Sequence, residues 1–431
     1  MAELSVGTVI KTDFGAPIKV DKLLGEGTQG YVYLVDFAGK KMALKWYKDK
    51  AIREPDAFYK NLKNNVQKGA PDKAFLWPEA VTERKDGTFG YVMPVRPDGY
   101  YDFKKVINKK EINISSFKAI AEAAIKVTYA FNKLHSIGYS YQDLSAGNFF
   151  INLKTGDVLI CDNDNAAPND THTGIIGTPC YMAPEIVTGD GIVMPNIWTD
   201  RYSLAVILFM LFFVSHPLEG RKWLVPCLTD KISRNLYGED PIFVFDEVDK
   251  SNRPVRGIHD NLQNRWPFMP EYIKEAFKKA FSKEALMNPQ RRMTEGDWLE
   301  ILTRFRSDII ICPCGNNILI KDIESAECEI CGRKRTIMHS LQLPRYTVPA
   351  IKGTRVYRCQ LGTCNIEHAL DPVAFVLESD EKKTFLKNKT TTTWSAVTPS
   401  GKVNQVAPEG AVPFVAGIEL KVYEKPIKII K

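Results

Sequence analysis

No apolar run in this sequence is long enough to cross a bilayer as a helix. The longest, Ser203 to Val214, holds twelve residues, where a spanning helix needs about 20. The start, Met1-Ala-Glu-Leu-Ser5, lacks the charged-then-apolar pattern of a secretory leader. Long runs of one charge are missing as well: a net +7 is scattered over 58 basic and 51 acidic residues, with no basic stripe of the kind that tracks a nucleic acid. Cysteine is sparse, nine in 431 residues, and four of the nine crowd into 312–331. That distribution argues against a disulfide framework and for a reducing compartment with a bound metal. Repeats and low-complexity linkers are absent. The expectation is a cytoplasmic protein with no membrane and no nucleic-acid partner, built at this length from two or three domains.

What is present is a set of short blocks suited to phosphate chemistry. Tyr141-Gln-Asp-Leu-Ser-Ala-Gly-Asn148, followed by Ile160-Cys-Asp162, sets an Asp, an Asn and a second Asp around a short hairpin. Such a trio can orient a hydroxyl nucleophile through Asp143 and hold Mg²⁺ through the oxygens of Asn148 and Asp162. Upstream, Gly25-Glu-Gly27-Thr-Gln-Gly30-Tyr-Val32 lets backbone N–H groups fold over phosphate oxygens without a Cβ in the way. Ala43-Leu-Lys45 then puts a lysine on the third expected strand, among Ile18–Val20, Tyr31–Val35 and Met42–Trp46. Downstream lies Gly177-Thr-Pro-Cys-Tyr-Met-Ala183-Pro184-Glu185.

In this order and spacing the blocks resemble a protein kinase of the bacterial, eukaryotic-like Ser/Thr type. The resemblance implies an α+β, bilobal kinase fold over 6–306, with a β-rich lobe at about 6–93 and a helical lobe at about 98–306. It implies transfer of the γ-phosphoryl of ATP, with Mg²⁺ or Mn²⁺, to Ser or Thr hydroxyls of a protein substrate. Asp143 and Lys45 would be the catalytic pair. Gly25, Gly27, Gly30, Val32, Ala43, Met93, Pro94 and Arg96 would surround the nucleotide, with Asn148 and Asp162 on the metal. Glu185 would pair with Arg292 and Asp200 would brace the catalytic loop, both as architecture. Thr171 and Thr173 are candidate autophosphorylation sites.

Several positions depart from the family. The helix expected over Asp56–Lys68 offers Asn61, Asn64 and Asn65 but no acid after Asp56, so that an Asn, Glu54 or Glu79 partners Lys45, or the pair is lost. Tyr141-Gln142 stands for His-Arg, Ser145 for a lysine, and Asp162-Asn163-Asp164 for Asp-Phe-Gly. Without that arginine, phosphorylation of the activation loop is not expected to be required. The alternative function is a pseudokinase scaffold that binds nucleotide, or none, and works through its C-terminal modules.

Those modules begin at 307. Cys312-Pro-Cys314-Gly and Cys328-Glu-Ile-Cys331-Gly, expected to flank a hairpin, resemble a zinc ribbon over 307–338, a closed Cys₄ site with structural Zn²⁺. Cys161, Cys180 and Cys227 read as core residues, and Cys359, Cys364 and His368 as strand and loop residues. From 341 to 431 the chain turns β-rich, with strands expected at 354–360, 374–378, 384–388, 393–397 and 419–423 and a turn at Pro399–Lys402. This tail resembles a small forkhead-associated-like β-sandwich. Related architectures imply a stress or metal-resistance setting, with a von Willebrand A-like protein and a metal-dependent phosphatase as partners.

Overall fold

The structure is a computed structural model describing residues 3–85, 87–108, 116–169, 171, 174, 177–320, 325–362, 364–379 and 383–431. Thr173, singled out above as a candidate autophosphorylation site, lies outside the described residues.

The N-terminal lobe is a six-stranded antiparallel sheet of β1 (Val9–Lys11), β2 (Pro17–Glu26), β3 (Gly30–Phe37), β4 (Lys40–Tyr47), β5 (Ala80–Val81) and β6 (Gly90–Pro94), in the order β1-β2-β3-β4-β6-β5. Side chains alternate across a strand. In β4 that alternation sends Met42, Leu44 and Trp46 into one apolar cluster, and turns Ala43, Lys45 and Tyr47 to the opposite face. One helix, α1 (Pro55–Lys68), packs on that second face. Pro55 opens it, where the missing N–H costs nothing, and Gly69 ends it at φ 76°. Its buried face is half polar: Asn61 and Asn65 are buried along with Phe58 and Leu62.

Below the sheet, the helices Phe117–Ser136 and Ile197–Phe213 form the centre of the larger core. Ser116 caps the first of them, and Asn196 with Thr199 makes a capping box on the second. The longest apolar run belongs to the second helix, which is buried on nearly every side. Among the described residues no helix is long and apolar enough to cross a membrane.

The last helix of this lobe, Glu295–Ser307, runs directly into the cysteine segment. There the ladders pass through each knuckle: Ile309–Ile311 pairs with Asn317–Leu319, and Ser325–Glu327 with Lys334–Thr336. Each knuckle is thus the turn of its own hairpin. The reason is local, since the glycine after each second cysteine adopts positive φ (Gly315 90°, Gly332 65°) and closes the turn back onto Cys312 and Cys328.

From Ser340 to Ile430 a six-stranded and a four-stranded sheet share one core centred on Trp394 and Leu386. The turn at 399–402 joins two paired strands, Trp394–Val397 and Val403–Val406. Five further strands in this region, at 340–342, 347–349, 403–406, 411–413 and 425–430, were not legible from alternation. The C-terminal units are fastened to the kinase-like lobe. Asn317 accepts from Ser116 Oγ (2.9 Å) and the Lys118 N–H (3.0 Å), while Arg345 reaches Glu300 at 2.5 Å. Cys359 and Ala369 enter the lobe's own core.

Candidate active site

The site lies between the inner face of the sheet and the hairpin Phe149–Ile151/Val158–Ile160. Val32 lies opposite Lys45 in the β3–β4 ladder, and Ala43 lies opposite Met93 in the β4–β6 ladder. Val32, Ala43 and Met93 join Leu159 and Cys161 in one apolar cluster, which can receive a flat base. Pro94 closes β6 opposite Met42, and the Arg96 guanidinium lies 4.4 Å from the Phe150 ring centre. The glycine segment is the β2–β3 turn, closed by a hydrogen bond from Gly27 N–H to Gly30 O of 2.9 Å. Gly30 is obligatory for packing: a Cβ there would come within 2.4 Å of the Trp46 carbonyl oxygen. Around Gly25 the space is open.

Lys45 is buried (6% exposed), and its ammonium donates to Asp162 Oδ1 at 3.0 Å and Asp164 Oδ2 at 2.8 Å. Burial opposes its charge, but the two carboxylates outweigh burial and raise its pKa. Asp164 is buried and also accepts from Tyr47 OH (2.5 Å) and Tyr91 OH (3.1 Å). None of the acids or amides expected beside Lys45 is its partner. Glu54 and Glu79 are exposed, and both Asn61 and Asn65 spend their amide N–H groups on the Ala166 carbonyl, at 2.9 and 2.8 Å. Sequence reasoning missed Asp164, Tyr47 and Tyr91. The available signal was an extra acid two residues after Asp162 in a chain whose helix lacked one.

Asp143 is half-buried with Oδ1 accepting from Thr178 Oγ1 at 2.9 Å, and burial raises its pKa above the ordinary 3.8. Asn148 is held on both sides: Ser145 Oγ donates to its Oδ1 (2.5 Å), and its Nδ2 donates to Tyr141 OH (3.3 Å). Tyr141 OH in turn donates to the Cys161 carbonyl, tying the loop to the residue before Asp162. Asp162 itself sits at φ 54°, left-handed backbone that an Asp tolerates better than most residues. Gln142, where the family has arginine, donates to the Thr171 carbonyl at 2.7 Å.

The loop hangs from Asp200, whose carboxylate accepts the Tyr141 N–H (2.6 Å) and the Gln142 N–H (3.2 Å). Glu185 and Arg292 form a bidentate pair at 2.7 and 2.6 Å. Both arrangements follow the expectation. Cys161 and Cys180 are half-buried, but Cys227 is exposed: it lies in the loop after the short turn Arg221–Trp223, away from any core face.

Away from this cleft, Cys312, Cys314, Cys328 and Cys331 bring their Sγ atoms within 4.8 Å of one another. Among the described residues this is the only group of His, Cys, Asp or Glu side chains placed to share an ion. Backbone N–H groups around Cys331 draw the Cys328 thiol down to about 6.

The family model described as a protein kinase domain matches residues 18–297. The serine/threonine-protein kinase PknD of Protochlamydia amoebophila (strain UWE25) is 26% identical over 313 residues, covering 63% of this chain and 30% of that protein. Protein kinase C-like 1 of Caenorhabditis elegans is 23% identical over 286 residues, 63% of this chain and 34% of its own length. The delta type of protein kinase C from Rattus norvegicus is 28% identical over 207 residues, 46% and 29% of the two chains. The chain therefore spans about a third of the length of these relatives. With the family match covering more than half of its 431 residues, the chain belongs to the protein kinase family.

Proposed function

We propose that this chain transfers the γ-phosphoryl group of ATP to Ser or Thr hydroxyls of a protein substrate. The observation that carries the proposal is the convergence of a buried lysine, two oxygen donors and a hydroxyl-held aspartate at one cleft. Lys45 neutralises the phosphates and the glycine turn covers them. Val32, Ala43 and Met93 receive the base, with backbone groups of Pro94 and Arg96 at its edge. With Oδ1 occupied by Thr178, Asp143 keeps Oδ2 for the substrate hydroxyl and accepts its proton as the new O–Pγ bond forms and the bond to ADP breaks.

Asp162, 41% exposed at its side chain, and Asn148 Oδ1 make an all-oxygen donor pair that suits a hard divalent cation. Bound there, Mg²⁺ or Mn²⁺ supplies charge neutralisation on the transferring phosphoryl group. The Gln142 contact to backbone at Thr171 supports a cleft whose loop is held without a phosphate-reading arginine. Thr171 is kept as a candidate autophosphorylation site.

The same reading takes the four cysteines as a closed Zn²⁺ site that folds a ribbon at 307–338. It takes 341–431 as a forkhead-associated-like docking module. In that module Asn388 is turned inward, donating to the Thr392 and Val406 carbonyls. A cytoplasmic stress or metal-resistance setting, with a von Willebrand A-like protein and a metal-dependent phosphatase as partners, rests on the resemblance of the architecture.

The test is transfer from γ-labelled ATP with Mg²⁺ or Mn²⁺ by the wild-type chain and by Asp162→Asn. Label on the chain or on a generic protein acceptor, absent in the variant, is the expected result. Nucleotide binding without any transfer, under both metals and with a range of acceptors, would replace the enzyme with a scaffold.

A further inference from the structure

We propose that Asp164 is the positioning carboxylate of Lys45, so that the phosphate clamp is assembled by the metal-binding segment itself instead of by helix α1. The proposal rests on the kinase reading above and names a residue within that site.

A buried carboxylate is costly unless its oxygens are satisfied. Asp164 has a fully buried side chain and receives three donors: Lys45 Nζ and Tyr47 OH on Oδ2, and Tyr91 OH on Oδ1. Burial, reinforced by the Asp164 charge, holds both phenols well above their ordinary range, so they stay protonated donors at any working pH. All three donors come from the inner face of β4 and β6, which fixes the carboxylate against the sheet.

The two acids flanking Asn163 divide the labour by exposure. Asp162 reaches Lys45 through one oxygen and is 41% exposed, so it can turn to a cation and release the lysine. Asp164 has no such freedom, and remains the partner when Asp162 leaves.

Helix α1 contributes nothing ionic to this arrangement. Its only acid, Asp56, is 90% exposed and bridges to Arg84. The helix is fastened instead by neutral bonds from Asn61 and Asn65 to the Ala166 carbonyl, two residues beyond Asp164. A kinase whose clamp carboxylate sits on a helix can be switched off by moving that helix. Here the Lys45–Asp164 pair includes no charged group of α1.

The test compares wild type, Asp164→Asn, Lys45→Met and the double variant for MgATP dissociation constant and for kcat/KM. Removing a charge-assisted partner from a buried lysine is expected to lower kcat/KM for MgATP by about 10- to 100-fold, with KM for the protein acceptor unchanged. Because Asp164 acts through Lys45, the MgATP dissociation constant of the double variant should match that of Lys45→Met within about twofold. Glu54→Gln and Asp56→Asn should behave as wild type. Should Asp164→Asn fail to fold, Tyr91→Phe removes one of the three donors and should give a smaller loss of the same kind. Additive effects of the Lys45 and Asp164 changes, or wild-type kcat/KM in Asp164→Asn beside an inactive Lys45→Met, would overturn the inference while leaving the kinase reading standing. Full transfer by Lys45→Met would instead overturn the kinase reading itself.

Discussion

His135 is the point at which pH is expected to reach the catalytic loop. It lies on the helix Phe117–Ser136 with a side chain 4% exposed, and both ring nitrogens meet carboxylates: Nδ1 with Glu295 Oε1 at 2.9 Å, Nε2 with Asp200 Oδ2 at 3.1 Å. An imidazole that faces an acceptor on each side is satisfied only as the doubly protonated cation. Burial works against that charge, but the bonds to Asp200 and Glu295 prevail and lift the group from 6.5 to about 9. A raised pKa means stability that is fully present below the unfolded value of 6.5 and is lost as pH rises through about 9. The span corresponds to about 3 kcal/mol. Glu295 is correspondingly drawn down to about 2 by His135 and Arg201 against its burial, and the two shifts express one attraction that counts once. The assay is urea unfolding of the wild type and of His135→Gln, whose side chain does not titrate. The stability gap between them should fall by about 3 kcal/mol as pH rises from below 6.5 to about 10. Because Asp200 also carries the Tyr141 and Gln142 N–H groups, the phosphotransfer rate should fall in the same alkaline window. A gap that stays constant across that window would refute the assignment of a charged His135.

The raised pKa of Asp143, caused first by burial, displaces the acid limb of the rate profile upward from the ordinary 3.8: activity is lost as pH falls through the raised value, since a protonated carboxyl cannot accept the hydroxyl proton. Asp143→Ala should lower transfer about 10³-fold while MgATP still binds, and undiminished transfer would remove Asp143 from the mechanism. Gly30→Ala should destabilise the N-terminal lobe by about 1–3 kcal/mol, since its Cβ would meet the Trp46 carbonyl oxygen; Gly25→Ala, with open space around it, should leave the melting temperature unchanged. Native mass spectrometry should find one zinc ion per wild-type chain and none in Cys328→Ser, and an equal metal content in both would dismiss the four-thiolate site.

Much of the fold was legible because local rules and tertiary demands agree in it. Alternation marked β2, β3 and β4, and the expected helix over Asp56–Lys68 matches α1 to within a residue. In the C-terminal sandwich the strands at 384–388 and 394–397 were visible through their apolar residues. The strand Val403–Val406 was not, because three of its four residues are exposed and its place is set by pairing with Trp394–Val397. The knuckle hairpins were missed for a related reason: strands of three residues carry too little periodicity to announce a register.

The sequence by itself carried the resemblance to the kinase family, the lobe order that this implies, the four-cysteine knuckles, and the expectation for Lys45, Asp143, Asn148 and Asp162. Each of these depends on residue types at fixed separations along the chain. Only the tertiary structure decided which acid partners Lys45. Asp164 lies 119 positions away in sequence. Its role arises because β4 and β6 aim an ammonium and two phenols at one buried point, and a carboxylate is the group that satisfies all three.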